Sequence, residues 1–156
     1  MKITKQFLQQ KEACTEGIYW VVKNCEGEEG VEVVKKLMAH RLDWANWLIT
    51  RIMTRPQYMA YAIFSAEKVL GIFEKKYPND KRPRLAIEAA KVVLEKDTKE
   101  NRKKAYAASA AAAAYAASAA YAASAASVAS AAYAAAEKKM QTKILEYGLS
   151  LLQEGK

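Results

Sequence analysis

Apolar positions recur at helical spacing from one end of the chain to the other, and they divide into short amphipathic segments. Thr4 can cap a first short helix over Lys5 to Gln10. A second helix follows through KEACTEGIYWVVKNC, where Cys14, Ile18, Val21, Val22 and Cys25 lie near one face. Gly17 weakens it slightly, and the Glu26-Gly27 to Gly30 cluster ends it. Val31 to His40 is a third amphipathic segment, with Val33, Val34, Leu37 and Met38 apolar. Asp43 reads as the N-cap of a helix through Trp44, Trp47, Leu48, Ile49 and Ile52. Arg55-Pro56 ends that helix, and Pro56 sits in the first turn of the next, Gln57 to Lys76. Tyr77-Pro78-Asn79-Asp80 is the clearest turn, after which Pro83 restarts a helix through Leu85, Ala89, Val92, Val93 and Leu94. Asp97 with Glu100 three residues on reads as a cap and its reciprocal acid. Met140, Ile144, Leu145, Leu149, Leu151 and Leu152 then give a closing amphipathic helix.

Between the last two segments runs an uncharged, alanine-dominated tract, 105–136. Alanine has the highest helix propensity, so the tract is predicted helical. Tyr106, Ser109, Tyr115, Ser118, Tyr121, Ser124, Ser127, Ser130 and Tyr133 share one three-residue register. Three is not the helical period of 3.6, so this line of hydroxyls winds around the helix by about 60° per step and makes no single stripe. Small side chains therefore meet neighbours on every side, which suits the interior of a bundle. A single helix of this length would measure about 48 Å, long for a small domain, and a break is expected near Ser124 to Ser130. The tract has one valine, no leucine, isoleucine or phenylalanine, and nine hydroxyl-bearing side chains. That is too little transfer energy for a membrane span.

Composition agrees with a packed helical protein. Of 156 residues, 52% are apolar and 27% charged, and there are 3 Pro and 6 Gly, few for a β-rich chain. The expectation is an all-α, single-domain bundle over 1–156, with about seven or eight helices around the alanine-rich tract as a central helix or helix pair. Cys14 and Cys25 fit no metal spacing and no disulfide framework, and MKITKQFLQQKEAC has no apolar run of signal-peptide length. A cytoplasmic location is expected.

The net charge is +8, concentrated between Lys75 and Lys104. Such a face can attract nucleic acid, a nucleotide or an acidic protein, or can simply be solvated. Catalytic chemistry is scarce. His40 is the single histidine, with no nucleophile pattern beside it, and no phosphate loop, zinc spacing or calcium loop appears. No cofactor is implied. Acids fall one turn before lysines (Glu32 and Lys36, Glu95 and Lys99, Glu100 and Lys104), the pattern of an exposed helix face.

Two constellations could bind something. Trp44, Trp47 and Arg51 share a helical face near Asp43, with Tyr19 and Trp20 upstream. Aromatics beside arginine can stack a base or anchor a protein, or the tryptophans can be packed in a core seam. Arg82 and Arg84 stand at a helix N-terminus, where they could hold a phosphate or carboxylate, or pair internally with Asp80 or Glu88. Lys103 joins them as a candidate contact for nucleic acid.

In this order of motifs the chain resembles an alanine-rich family of putative immunity proteins from bacteria and phages. The features are Cys14, Gly17 and Trp20; Asp43-Trp44-Ala45-Asn46-Trp47-Leu48; Arg82-Pro83-Arg84 running into Ala86-Ile87-Glu88-Ala89-Ala90; and the long Ala/Tyr tract. The chain departs from the group in having serine where aspartate is common, and in being basic. The resemblance implies a non-enzymatic intracellular protein that neutralises a toxin or defence effector by stoichiometric binding. It extends to a phage counter-defence inhibitor, anti-CRISPR-like or nucleotide-sequestering. The expected partner is a protein effector, or else a nucleotide or nucleic acid, with no membrane association. The alternative is a basic helical module that binds nucleic acid.

Overall fold

The computed structural model describes residues 1–109 and 131–154, with the backbone alone for 131–137. Eight helical segments and no strand occur among them, so the all-α expectation holds. The centre of the alanine tract, and with it the expected break at Ser124 to Ser130, lies outside the described residues. By contacts the chain divides into two units, Met1–Tyr58 with Glu137–Lys156, and Met59–Ala136.

In the first unit, helix α1 spans Lys5–Gln10 and is capped by Thr4, whose Oγ1 accepts from the Phe7 amide at 3.2 Å. It ends in a two-bond lock. Ala13 N donates to the Leu8 carbonyl and Glu12 N to the Gln9 carbonyl, both at 3.0 Å. This is a Schellman ending, in which the residue after the cap turns left-handed and glycine is the usual choice. Here that residue is Glu12, with φ +58°.

Helix α2, Thr15–Cys25, begins at Cys14, whose Sγ accepts from Gly17 N at 3.4 Å. It stops before Gly27, whose φ of +79° suits a residue without a Cβ. The loop that follows is stitched to the start of the chain, with Ile3 N donating to the Glu28 carbonyl and Gly27 N to the Ile3 carbonyl. Ile3 is thereby fully buried.

Helices α3, Gly30–His40, and α4, Leu42–Ile52, are joined by the single extended residue Arg41 and pack on each other. Val33, Val34 and Leu37 of α3 and Ala45, Leu48 and Ile49 of α4 are all buried. Full burial of such side chains contributes about 1.5–3 kcal/mol each, the main stabilisation of this unit. The short link also corrects an expectation. Arg41, not Asp43, occupies the N-cap position, because a one-residue link leaves nothing else outside the helices. Asp43 falls inside the first turn, where its charge suits the helix N-terminus, and it takes a two-bond contact from Arg41 at 3.0 and 2.6 Å.

Helix α5 spans Arg55–Lys76. Gln57 secures its start by reaching back to Thr54, whose amide and hydroxyl both donate to Gln57 Oε1 at 2.9 Å. The Gln57 amide donates in turn to the Leu151 carbonyl at 2.6 Å, tying α5 to the closing helix within the first unit. That closing helix, Ala131–Glu154, buries Leu145.

In the second unit, the rest of α5 faces helix α6, Arg82–Glu95. Arg84 pairs with Glu74 and Lys91 with Glu67. The two pairs lie seven residues apart on each helix and run in opposite order, which makes an antiparallel hairpin closed at the Tyr77 to Lys81 turn. Tyr61, Ile63 and Val93 are its buried residues. Residues 99–109 are helical, and their cap is Thr98, whose Oγ1 accepts from Asn101 N at 3.1 Å. The expected cap of Asp97 with Glu100 is therefore replaced. Each acid is instead used by a cation farther along, Asp97 by Arg102 and Glu100 by Lys104.

Candidate functional site

A cavity of about 400 Å³ lies in the first unit. Its floor is apolar, from Leu8 of α1, Val21 of α2, Leu37 of α3 and Leu48 of α4. Its walls include the indoles of Trp44 and Trp47, one turn apart on α4. Both tryptophans are half-buried. They are not sealed in a seam and they are not free surface rings.

Each indole is backed by an arginine. The Arg41 guanidinium carbon stands 4.5 Å from the Trp44 ring centroid and that of Arg51 4.1 Å from the Trp47 centroid. Cation–π contact of this kind fixes ring orientation. Arg51 is held further by donating to the Trp47 carbonyl and to Thr50 Oγ1. Trp44 is also reached by His40, which contacts Trp20 as well. His40 stacks on Trp20 at 4.7 Å and meets Trp44 edge-on at 5.6 Å. His40 is expected at a helix end, and α3 does end there, but the sequence pattern gives no sign of these two aromatic contacts.

Gly17 lets α2 approach. A Cβ there would stand 3.2 Å from Cys14 Sγ and 3.9 Å from the Trp44 ring, so any larger residue presses on the sulfur. The exposed thiol of Cys14 lines the cavity beside it. Cys25 is buried, and burial, with the nearby Glu28 charge, pushes its thiol up from its ordinary value.

Polar groups gather at the mouth. Asp43 and Glu12 both line it. Hydrogen bonding from Arg41 holds the Asp43 carboxyl below the ordinary aspartate value, and Glu16 stands 3.8 Å from the same guanidinium. Glu12 has no such partner among the described residues.

The other predicted site residues lie in the second unit. Arg82 is bound to Asp80 by two hydrogen bonds of 2.9 Å, and its own amide also donates to that carboxylate. Arg84 grips Glu74 at 2.8 and 2.6 Å, so it pairs internally, with an acid on α5 in place of Glu88. Lys103 is exposed. No three His, Cys, Asp or Glu side chains come together as a metal site among the described residues. No described helix is long and apolar enough to cross a membrane.

Helices make up the fold of the described residues, and the first four of them build an apolar, tryptophan-walled cleft, which defines an all-α protein. The chain belongs to the Imm-5 like putative immunity protein family, whose model matches residues 49–154. The matched stretch contains Arg51, Arg82, Arg84 and Lys103 together with the alanine tract, whereas Trp44, Trp47 and most of the cleft precede it. No curated protein and no solved structure matches the chain.

Proposed function

We propose that this protein neutralises a toxin or defence effector by stoichiometric binding, without catalysis. Membership of an immunity family over 49–154 carries the reading. The cleft supports it, because concave apolar sites with aromatic walls and a few polar groups at the rim are the usual anchoring points of interfaces. The cationic segment supports a protein partner more than a nucleic acid. Between Lys75 and Lys104, Arg82, Arg84, Lys91, Arg102 and Lys104 are each engaged with a carboxylate of the same unit. A guanidinium already held by a carboxylate must give up that contact before it can grip a phosphate.

Counter-defence in a phage is the narrower version of the same proposal, with a host nuclease or signalling protein as the effector. The test is coexpression with the product of each adjacent gene. Relief of growth arrest by this chain, in proportion to its amount and with isolation of a defined complex, supports the reading. Arrest that no amount relieves, or relief by trace amounts as a catalyst would give, overturns it.

A further inference from the structure

We infer that the cleft of the first unit seats an apolar anchor side chain of a protein partner, flanked in that partner by a lysine or arginine whose cationic head meets Glu12. The inference rests on the binding role proposed above and specifies the chemistry of the partner at this one site.

Three observations carry it. The cleft holds about 400 Å³ above a floor of Leu8, Val21, Leu37 and Leu48, room for a large aromatic or branched side chain. The mouth is locally acidic on a chain of net charge +8. There Glu12 and Asp43 line the cleft and no lysine or arginine does; Asp43 is paired with Arg41, whereas the Glu12 carboxylate has no ion pair among the described residues. Charge complementarity therefore calls for a cation from the partner, and an acidic anchor sequence would be repelled.

The third observation is the backbone of Glu12. It occupies the left-handed position of a helix ending, φ +58°, which glycine takes at no steric cost. A glutamate there is strained, and strain of this sort collects where a side chain is needed. Glu12 is one of the two acidic residues that line the cleft.

Cys14 supplies the measurement. Its thiol is exposed and lines the cleft, whereas Cys25 is buried, so neutral iodoacetamide will report on Cys14 selectively when labelling is read by peptide mass. The probes are end-blocked tripeptides, lysine–tryptophan–lysine and glutamate–tryptophan–glutamate, with N-acetyltryptophanamide as the uncharged third. Millimolar lysine–tryptophan–lysine is expected to slow labelling several-fold and saturably, and the glutamate peptide to do so much less. Glu12→Gln should abolish the difference between the two peptides while keeping the slowing caused by tryptophan.

Equal slowing by both peptides in the wild-type chain would overturn the charge assignment. So would a preference that survives Glu12→Gln. No slowing by any of the three would overturn the cleft as an anchor site. Slowing by N-acetyltryptophanamide equal to that by the lysine peptide would make it a site for a small apolar ligand and also sink the proposal. Growth relief in the coexpression test is read independently, so a closed cleft and a failed immunity role are distinguishable.

Discussion

The imidazole of His40 lies almost flat on the indole of Trp20, centroids 4.7 Å apart and planes inclined by 12°, and it also makes an edge contact with Trp44, centroids 5.6 Å apart and planes inclined by 60°. One residue at the end of α3 thus links a ring on α2 to a wall of the cleft on α4. Aromatic pairs contribute about 0.5–1.5 kcal/mol beyond the area they bury. His40→Ala is therefore expected to lower unfolding free energy by roughly 1 kcal/mol. It should also change the tryptophan emission of the native state, since two of the three tryptophans lose a neighbour. An unchanged emission spectrum together with an unchanged urea midpoint would show that the stack is not formed in solution.

Glu12 offers a separation of stability from binding. Its left-handed backbone costs an ordinary residue about 1 kcal/mol or more relative to glycine, part of which glycine returns as entropy of the unfolded chain. Glu12→Gly is expected to raise stability by about 0.5–1 kcal/mol, although it deletes a charged side chain. The urea midpoint checks this. A destabilised variant would mean that the glutamate side chain, rather than the turn geometry, secures the end of α1.

Tyr61 predicts an alkaline limit. The side chain is 4% exposed, and burial pushes its phenol up to about 12 from an ordinary value of 10.0. The folded state thus keeps this proton to a higher pH than the unfolded chain does. The stability that comes from burying a neutral phenol is fully present below pH 10.0 and is lost progressively as pH rises toward about 12. Tyr61→Phe removes the titrating group. Its midpoint should fall less than that of the wild-type chain between pH 9 and 11, and parallel falls would contradict the account.

How much of this was legible beforehand follows from the range of the interactions. The α1 cap at Thr4, the stop at Gly27 and the proline starts of α5 and α6 were readable because each is decided within four residues. Asp43 misled because capping preference is a local average. The one-residue link through Arg41, set by how α3 and α4 pack, moved the helix start two residues back. The Thr54–Gln57 cap was available as a Thr-x-x-Gln signal beside Pro56, but the proline dominated the reading. Pairing of Arg84 with Glu74 depends on the register of the α5–α6 hairpin, which no local pattern encodes. The cleft needs α1, α2, α3 and α4 at once, so its tryptophans and the nearby Asp43 could be singled out from sequence, but Glu12 could not.

The cationic segment gives the prediction that decides between partner classes. If residues 75–104 gripped a nucleic-acid backbone, binding would weaken steeply with salt. Each lost phosphate contact would then lower the salt slope by about 1. Lys103 is exposed, whereas Arg82 is already held by Asp80 and Arg84 by Glu74. Under the nucleic-acid reading, Lys103→Gln should reduce affinity for a duplex and flatten its salt dependence. Arg84→Gln should act mainly by loosening the hairpin. Under the protein-partner reading, neither the wild-type chain nor Lys103→Gln binds a random-sequence duplex measurably at physiological salt, and Arg84→Gln lowers only the thermal midpoint. Fluorescence anisotropy of a labelled duplex across a salt series, run beside thermal melts of the same variants, distinguishes the two. Tight duplex binding with a slope that Lys103→Gln reduces would overturn the assignment of a protein effector as the partner.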